Sequence, residues 1–459
     1  MRMVRTLFTC IVLAAAAATA QAQIGLPSGR LPTLPGVGLP GTGTPGGAIG
    51  LPGRLGTDVG QALSGVGDSA ELRRLTTERE LRIAALIRRY PRLIERDPRG
   101  NPIVRSEVVA VAPTDAALDR ARAAGFSIAR DRTFGALGVR VVVLDAPSGL
   151  STRRALAQLR RLDPAGTYDF NHLYSESGAE STTEGNADRS APGGSVREAE
   201  AVVGAATPRV GLIDSGIEVH HPVFNDVPIQ VHGCDGAAVP SEHGTAVGSL
   251  LVGRAAEFHG SLPSGALFAA DVYCAAPTGG AVDAIVEAFD WLVHEGVPVI
   301  NVSLVGPPNA LLATVVHRVV ARGFIIVAAV GNDGPAAPPL YPAAYPGVIG
   351  VTGVDAHRHV LMEAERGAQV QFAAPGADMA AAALPRAYAL VRGTSFAAPL
   401  VAGLLARSLD APTPADAARA IEELRRHAID LGARGLDPVY GYGLVGADLA
   451  PEPALARAR

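Results

Sequence analysis

The chain contains no lysine, and all 40 of its basic side chains are arginine, against 44 aspartates and glutamates. A net charge of −4 at pH 7 is not that of a nucleic-acid-binding protein, which needs a basic surface. Beyond the N-terminal region no run of 18 apolar residues occurs, so no stable membrane span is expected. No group of His, Cys, Asp and Glu has the spacing of metal ligands. We therefore expect neither a metal nor another cofactor.

The N-terminus has the pattern of an export signal, predicted over residues 1–22. Arg2 and Arg5 precede an apolar run from Leu7 to Ala20, and small residues follow as a cleavage site. Because the run is short for a membrane span, an uncleaved anchor is the less favoured alternative. The mature protein is expected to be secreted or periplasmic.

Composition divides the rest of the 459 residues into successive segments. The predicted divisions are a Gly/Pro-rich linker (23–68), a small domain (69–174), a polar Gly/Ser-rich connector (175–197), a large domain (198–450) and a tail (451–459).

In the small domain, a helix is predicted from Ser69 to Asp97, kinked or broken at Pro91. The pattern that follows is β-α-β-β-α-β, which is the order of a ferredoxin-like α+β fold. In the large domain, short β-branched runs alternate with Ala/Leu-rich helices. This predicts an α/β fold, a doubly wound parallel sheet with helices on both faces.

Four polar residues occupy places where such a sheet puts its functional sites, at strand ends and helix starts. Asp214 closes the run "RVGLID", Asn332 follows "FIIVAAVG", and His243 and Ser395 each begin an apolar helix. Taken singly, each has a structural explanation: Asp214 and Asn332 as turn formers, His243 as a core histidine and Ser395 as a helix N-cap.

Together the motifs "GLIDSGIEVHHP", "HGTAVGSLLVG", "VAAVGNDG" and "GTSFAAPLVAG" resemble the subtilisin-like (subtilase) serine peptidases. The resemblance covers roughly Glu198 to Ala450. It implies that Ser395 attacks the peptide carbonyl, that His243 takes the proton, and that Asp214 orients His243. Asn332 and the backbone N–H of Ser395 then form the oxyanion hole.

The resemblance also implies the substrate-binding residues. "INVSLVGPP" matches the strand that pairs with substrate, so Ser303, Leu304 and Val305 are expected to bind peptide backbone. Gly331 and Leu340 are expected in the pocket for the residue before the cut. Since Val305 and Leu340 are bulky where the family often has small residues, a preference for small or medium apolar side chains is expected.

Cys234 and Cys274 are the two cysteines beyond the signal, and in an oxidising compartment they are a candidate disulfide. The fold implied by the resemblance makes their strands neighbours. Two free thiols are the alternative. The loop after His243 lacks the longer segment that binds calcium in well-known members, so no calcium is expected there.

The small domain resembles the prodomains of secreted subtilases, which assist folding and inhibit the enzyme. Self-cleavage is expected near Tyr174–Ser175, within several residues. Residues 71–174 carry 19 Arg and 12 acids, whereas residues 175–459 carry 17 Arg and 30 acids. These opposite charges favour docking, although composition drift would also produce them. A lasting domain without cleavage is the alternative to processing.

The favoured function is a monomeric serine endopeptidase, made as a self-processing precursor, that acts on polypeptides and is inhibited by its own prodomain. A peptide ligase or cyclase on the same site is one alternative. An inactive adhesion or scaffold protein is another, and the presence of all four residues argues against it.

Overall fold

The computed structural model describes residues 69–176 and 207–456. The predicted signal, the Gly/Pro-rich segment and most of the connector lie outside these residues. None of the helices in the described ranges is long and apolar enough to cross a membrane.

The N-terminal domain consists of three helices and five strands. The helices are α1 (Ser69–Arg89), α2 (Asp115–Ala123) and α3 (Thr152–Leu162); the strands are β1 (Ile94–Arg96), β2 (Pro102–Val111), β3 (Ser127–Phe134), β4 (Val139–Asp145) and β5 (Thr167–His172). A two-residue strand, β6 (Ser175–Glu176), follows.

Strands β2 to β5 form an antiparallel sheet in the order β5-β2-β4-β3, which is the order of a ferredoxin-like fold. Helix α3 buries Ala155, Leu156 and Leu159 on one side because they recur at helical spacing. Together with α2 it covers one face of the sheet.

Two segments of this domain differ in detail from the prediction, although the expected break at Pro91 is present. Helix α1 ends at Arg89 rather than at Asp97, and Ile94–Arg96 is a strand paired with β2. Pro91 ends the helix because proline has no N–H to donate and disfavours a helical residue before it. The predicted connector begins with strand β6 rather than with irregular chain.

The large domain contains the remaining ten strands and five helices among the described residues. The strands are β7 (Arg209–Asp214), β8 (Ile229–His232), β9 (Ala266–Asp271), β10 (Val299–Val302), β11 (Leu304–Val305), β12 (Ile325–Ala329), β13 (Ile349–Val354), β14 (Val370–Pro375), β15 (Met379–Ala383) and β16 (Ala387–Val391). The helices are α4 (Glu242–Val252), α5 (Val282–His294), α6 (Ala310–Ala321), α7 (Thr394–Ala406) and α8 (Pro414–His427).

Seven of these strands form a parallel sheet in the order β14-β13-β12-β10-β7-β9-β8. Helices α4, α7 and α8 contribute to the apolar core on one face, and α5 and α6 to the core on the other. Both faces of the sheet are therefore buried, which explains why its strands are nearly continuous apolar runs. The predicted α/β fold is confirmed.

The uncovered face of the N-terminal sheet packs on α5 and α6, within one compact unit of residues 62–459. Apolar residues of β2, β3 and β4 join the core around these two helices: Val109, Phe134, Val139, Val141 and Val143.

Charged contacts surround this apolar interface. Arg130 donates to Asp283 at 2.9 Å, and Arg132 pairs with Glu287. The Asp169 carboxylate accepts the Ala310 N–H at 2.8 Å, at the positive end of α6. Oppositely charged groups of the two domains thus meet at the docked surface.

Cys234 and Cys274 follow the neighbouring parallel strands β8 and β9, and their Sγ atoms lie 2.14 Å apart, a bonding distance. The bond closes a loop with a sequence separation of 40 residues. Helix α4 begins within this loop.

We expect removal of this bond to destabilise the protein by about 2–4 kcal/mol, because the cross-link restricts the unfolded chain. The double variant Cys234→Ser/Cys274→Ser, compared with the parent by chemical unfolding, measures the change. Peptide mass mapping without reductant provides the control for bond formation in the parent. Equal unfolding free energies in the two proteins would contradict a stabilising bond.

Candidate active site

Asp214 is the last residue of β7 and is completely buried. Its Oδ1 accepts hydrogen bonds from the Ser215 N–H at 2.7 Å and the Ser215 hydroxyl at 3.1 Å. A buried carboxylate is costly unless such donors surround it. The turn after β7 supplies two such donors to Oδ1.

His243 lies in the first turn of α4, with its ring buried against Phe396 at 5.5 Å between ring centres. Its Nδ1 lies 2.8 Å from the Oδ1 atom of Asp214. This contact favours a proton on Nδ1, which leaves Nε2 as the basic nitrogen of the neutral ring. The geometry is that of a general base oriented by a carboxylate.

Ser395 is completely buried at the N-terminus of α7, immediately before Phe396. Its hydroxyl lies 3.3 Å from the Ser303 carbonyl, and the Ser303 hydroxyl donates to the Ser395 carbonyl at 3.0 Å. Gly393 precedes the helix with φ 137, a backbone conformation that glycine adopts without strain. The first turn of α7 therefore places a hydroxyl next to helix N–H groups.

Asn332 lies beside this helix terminus. Its side-chain oxygen accepts the Thr394 N–H at 3.1 Å, and the Thr394 hydroxyl accepts the Gly331 N–H at 3.2 Å. Within the described ranges, the buried Nδ2 atom of Asn332 has no hydrogen-bond partner. The Asn332 amide is thus fixed through its oxygen, and its Nδ2 group can donate a hydrogen bond to another molecule.

The end of the N-terminal domain lies in the adjoining cleft as an added strand. Strand β6 pairs antiparallel with β11, with Glu176 opposite Leu304 and Ser175 opposite Val305. Carboxylate oxygens of Glu176 and Asp214 and a ring nitrogen of His243 lie within 4.8 Å of one another. An extended segment of the chain itself is therefore already paired with the strand that is predicted to bind substrate.

Tyr174 anchors this peptide and is only 2% exposed. Its N–H donates to the Gly280 carbonyl at 2.8 Å, and its hydroxyl donates to the Pro307 carbonyl at 2.7 Å. Its own carbonyl accepts the Tyr273 hydroxyl at 2.9 Å. Burial raises the pKa of Tyr174 well above its usual range, so the hydroxyl stays protonated and remains a donor.

Two acidic residues that the sequence analysis did not single out lie beside Asn332. Asp333 is 7% exposed, and Glu365 is completely buried in the loop between β13 and β14. The Glu365 N–H donates to the Gly331 carbonyl at 3.1 Å. Burial, with the charge of Asp333 as a second cause, raises the pKa of Glu365 to about 9.

These acids change the interpretation of the predicted pocket. Val305 and Leu340 are buried there, and Leu340 lies close to Gly331, as expected. The expected preference for small or medium apolar side chains considered only Val305 and Leu340. Two acidic side chains at this place favour a cationic ligand over an apolar one.

Among the other histidines, His221 is buried and structural. Its Nδ1 accepts the Val223 N–H at 3.2 Å, and its Nε2 lies 2.9 Å from the Ala387 carbonyl. Burial lowers its pKa. His357 and His359 are exposed in the loop between β13 and β14.

The comparisons with known proteins agree with this fold. A sequence model of the Subtilase family matches residues 206–443, just over half of the 459 residues. The chain belongs to the subtilase family.

Relatives match over about half of the chain. The minor extracellular protease Epr of Bacillus subtilis (strain 168) is 30% identical over 249 residues, which are 52% of this chain and 37% of that protein. The subtilisin of Bacillus pumilus is 32% identical over 260 residues, 53% of this chain and 90% of that protein. The chain thus spans well under half the length of the first relative and most of the second.

A solved structure extends the likeness in fold. Fervidolysin from Fervidobacterium pennivorans superposes with a TM-score of 0.59 at 17% identity, over 76% of this chain and 61% of that one. At this identity the likeness concerns the fold alone.

We expect Asn332→Ala to lower kcat about 100- to 1,000-fold with little change in KM, because the lost donor stabilises charge that develops only in the transition state. Steady-state kinetics on a peptide substrate measures the change. Asn225→Ala, at an exposed position, is the matched control. A loss of kcat smaller than the control's scatter would exclude Asn332 from the oxyanion hole.

Proposed function

We propose that the chain is the precursor of an extracytoplasmic serine endopeptidase. Ser395 attacks the peptide carbonyl, and His243 accepts its proton and later returns it to the leaving amine. Asp214 holds the imidazole in the required tautomer and stabilises the imidazolium. The Asn332 amide and the backbone N–H of Ser395 stabilise the oxyanion, and water then releases the acyl group from Ser395.

We further propose that residues 69–176 form an intramolecular inhibitor that the enzyme removes from itself. The observation that carries this proposal is the pairing of β6 with β11, beside Ser303 and Ser395. A strand added at the substrate-binding edge blocks other peptides from the same hydrogen bonds.

The position of the cut follows from the register. The Tyr174 carbonyl is engaged by Tyr273, whereas Glu176, two residues further on, has its carboxylate near His243. We therefore move the proposed cut from Tyr174–Ser175 to a bond beyond Glu176, with Glu176 at least one residue before the residue that precedes the cut.

We expect the purified wild-type chain to split shortly after Glu176 and the Ser395→Ala variant to stay whole, because only the former has a nucleophile. Intact-mass spectrometry of the two proteins measures this. Ser408→Ala, an exposed serine just beyond the end of α7, should split like the wild type.

An intact wild type with activity on added peptides would reject self-processing but keep the peptidase. Cleavage of Ser395→Ala at the same bond would reject Ser395 as the nucleophile.

We expect Tyr174→Ala to slow self-processing by more than Tyr174→Phe does. The alanine variant loses both the buried ring and the hydroxyl. The phenylalanine variant keeps the ring and loses the hydroxyl's contacts with Pro307 and Tyr345, each hydrogen bond being worth about 1 kcal/mol or roughly fivefold in rate. The time course of the mass change after refolding measures both rates. Equal rates in all three proteins would show that Tyr174 does not position the cleaved segment.

A further inference from the structure

Helix α1 lies over the active-site cleft and adds a basic wall to it. The cleft has a volume of about 290 Å³, and its two walls include Arg74, Arg79 and Arg82 from α1 and Asn332, Asp333 and Glu363 from the large domain. Arg74 pairs with Glu78 on its own helix, and Glu363 pairs with Arg392. Arg79 and Asp333 instead meet across the cleft.

The contact between Arg79 and Asp333 is short and largely buried. Nη1 of Arg79 lies 2.7 Å from Oδ2 of Asp333, with side chains 17% and 8% exposed. Arg82 approaches the other oxygen only to 3.8 Å and is 66% exposed. A single arginine side chain, from a segment 254 positions away in sequence, thus enters the space next to Asn332.

Among the described residues, the neighbouring carboxyl group of Glu365 has one oxygen that accepts a hydrogen bond and one that does not. Oε2 of Glu365 accepts the Leu340 N–H at 3.2 Å, but its buried Oε1 has no hydrogen-bond partner in the described part of the chain. Oε1 lies 2.6 Å from where a Cβ on Gly331 would stand. Burying such an oxygen unpaired costs free energy. The raised pKa of Glu365, which the nearby charge of Arg79 partly offsets, reflects this cost.

The position of the two acids identifies what they would meet. The residue before the cut has its carbonyl at the Asn332 amide, so its side chain starts beside Gly331 and Asn332. Asp333 is the next residue, and Glu365 is bonded to Gly331 through its backbone. Arginine is long, permanently charged and forked, and it pairs with carboxylates through several N–H groups at once.

We propose that Asp333 and Glu365 form a binding pocket for the arginine side chain that precedes the cleaved bond of a substrate. In the precursor, Arg79 of helix α1 occupies the entrance to this pocket. Helix α1 lies on the N-terminal side of the proposed cut and leaves with the inhibitory domain, which opens the pocket to substrate. This inference rests on the proposed peptidase function and names its substrate class.

The test compares peptides that differ only in the residue before the cut: Arg, Lys, Ala, Leu or Glu. With the self-processed wild type, kcat/KM for the Arg peptide should exceed that for the Ala and Leu peptides at least tenfold, with Lys between them. Asp333→Asn removes a charge, and Glu365→Gln replaces a carboxyl group that can ionise beside a cation by an amide of the same size that cannot. Each should lower kcat/KM for the Arg peptide by about ten- to a hundredfold. For the Ala peptide the loss should be smaller in each variant, so the ratio of kcat/KM for Arg over Ala should fall at least about fivefold.

Glu257→Gln, exposed in the loop after α4, is the matched control and should keep the Arg preference. The inference would be overturned if the enzyme cleaved the Ala or Leu peptide faster than the Arg peptide and neither acid variant changed this order. The proposed peptidase function would then still stand. Cleavage of none of the peptides by a chain that also stays whole would instead count against the proposed function.

A binding measurement on the uncleaved precursor does not depend on activity. In the Ser395→Ala background, Arg79→Ala should open the pocket to benzamidine, a rigid amidinium probe. Benzamidine should therefore raise the Tm of Ser395→Ala/Arg79→Ala but not that of Ser395→Ala or of Ser395→Ala/Arg79→Ala/Asp333→Asn. Equal Tm shifts in all three proteins, or none in any, would overturn the occupancy of this pocket by Arg79.

Discussion

Strand β10 lies between β7 and β12 in the parallel sheet, and this pairing determines where the reacting groups meet. Because parallel strands end at the same edge, Asp214 after β7, Ser303 after β10 and Asn332 after β12 are brought together. Helix α7 packs on these strands and places Ser395 against Ser303. The site therefore depends on strand order rather than on any one loop.

The same edge explains how the N-terminal domain docks. Strand β11 leaves the sheet just after β10, so its backbone groups are available to an antiparallel partner, and β6 pairs with them. The broad apolar contact with α5 and α6 stands apart from this short pairing. Different interactions thus hold the N-terminal domain in place and position its last residues in the site. The first is mostly hydrophobic burial, whereas the second is strand pairing and the anchoring of Tyr174.

Sequence patterns predicted the parts of the molecule whose cause is local. Asp214 and Asn332 follow apolar strand runs, and His243 and Ser395 begin apolar helices, so each carries its own signal. The hairpin of β15 and β16 was not predicted, since its run "MAAAA" has the composition of a helix. It is a strand because it is buried and paired, and tertiary context overrides propensity.

The acidic pocket was missed for a different reason. Asp333 belongs to the sequence Gly-Asn-Asp-Gly, where a turn explains it equally well. Glu365 belongs to a loop, after no strand end, and nothing in its neighbouring residues indicates that it becomes buried. Their relation to each other and to Arg79 exists only once β12, β13 and α1 have assembled. Sequence patterns cannot reveal such a cluster because its members do not recur at a regular spacing along the chain.

That cluster also constrains the order of events in the precursor. Burial and, after it, the charge of Asp333 raise the pKa of the Glu365 carboxyl group, and a cation at Asp333 offsets part of the cost of burying the Asp333 charge. Arg79 supplies such a cation while helix α1 covers the cleft. The closed state is therefore stabilised by an arginine–carboxylate ion pair, which is also the interaction proposed for a substrate. When α1 departs, water or a substrate arginine must replace the lost partner of Asp333. Release of the inhibitory segment removes a cation from Asp333, and binding of a substrate arginine supplies one again. The two processes are therefore linked through the same pair of acids.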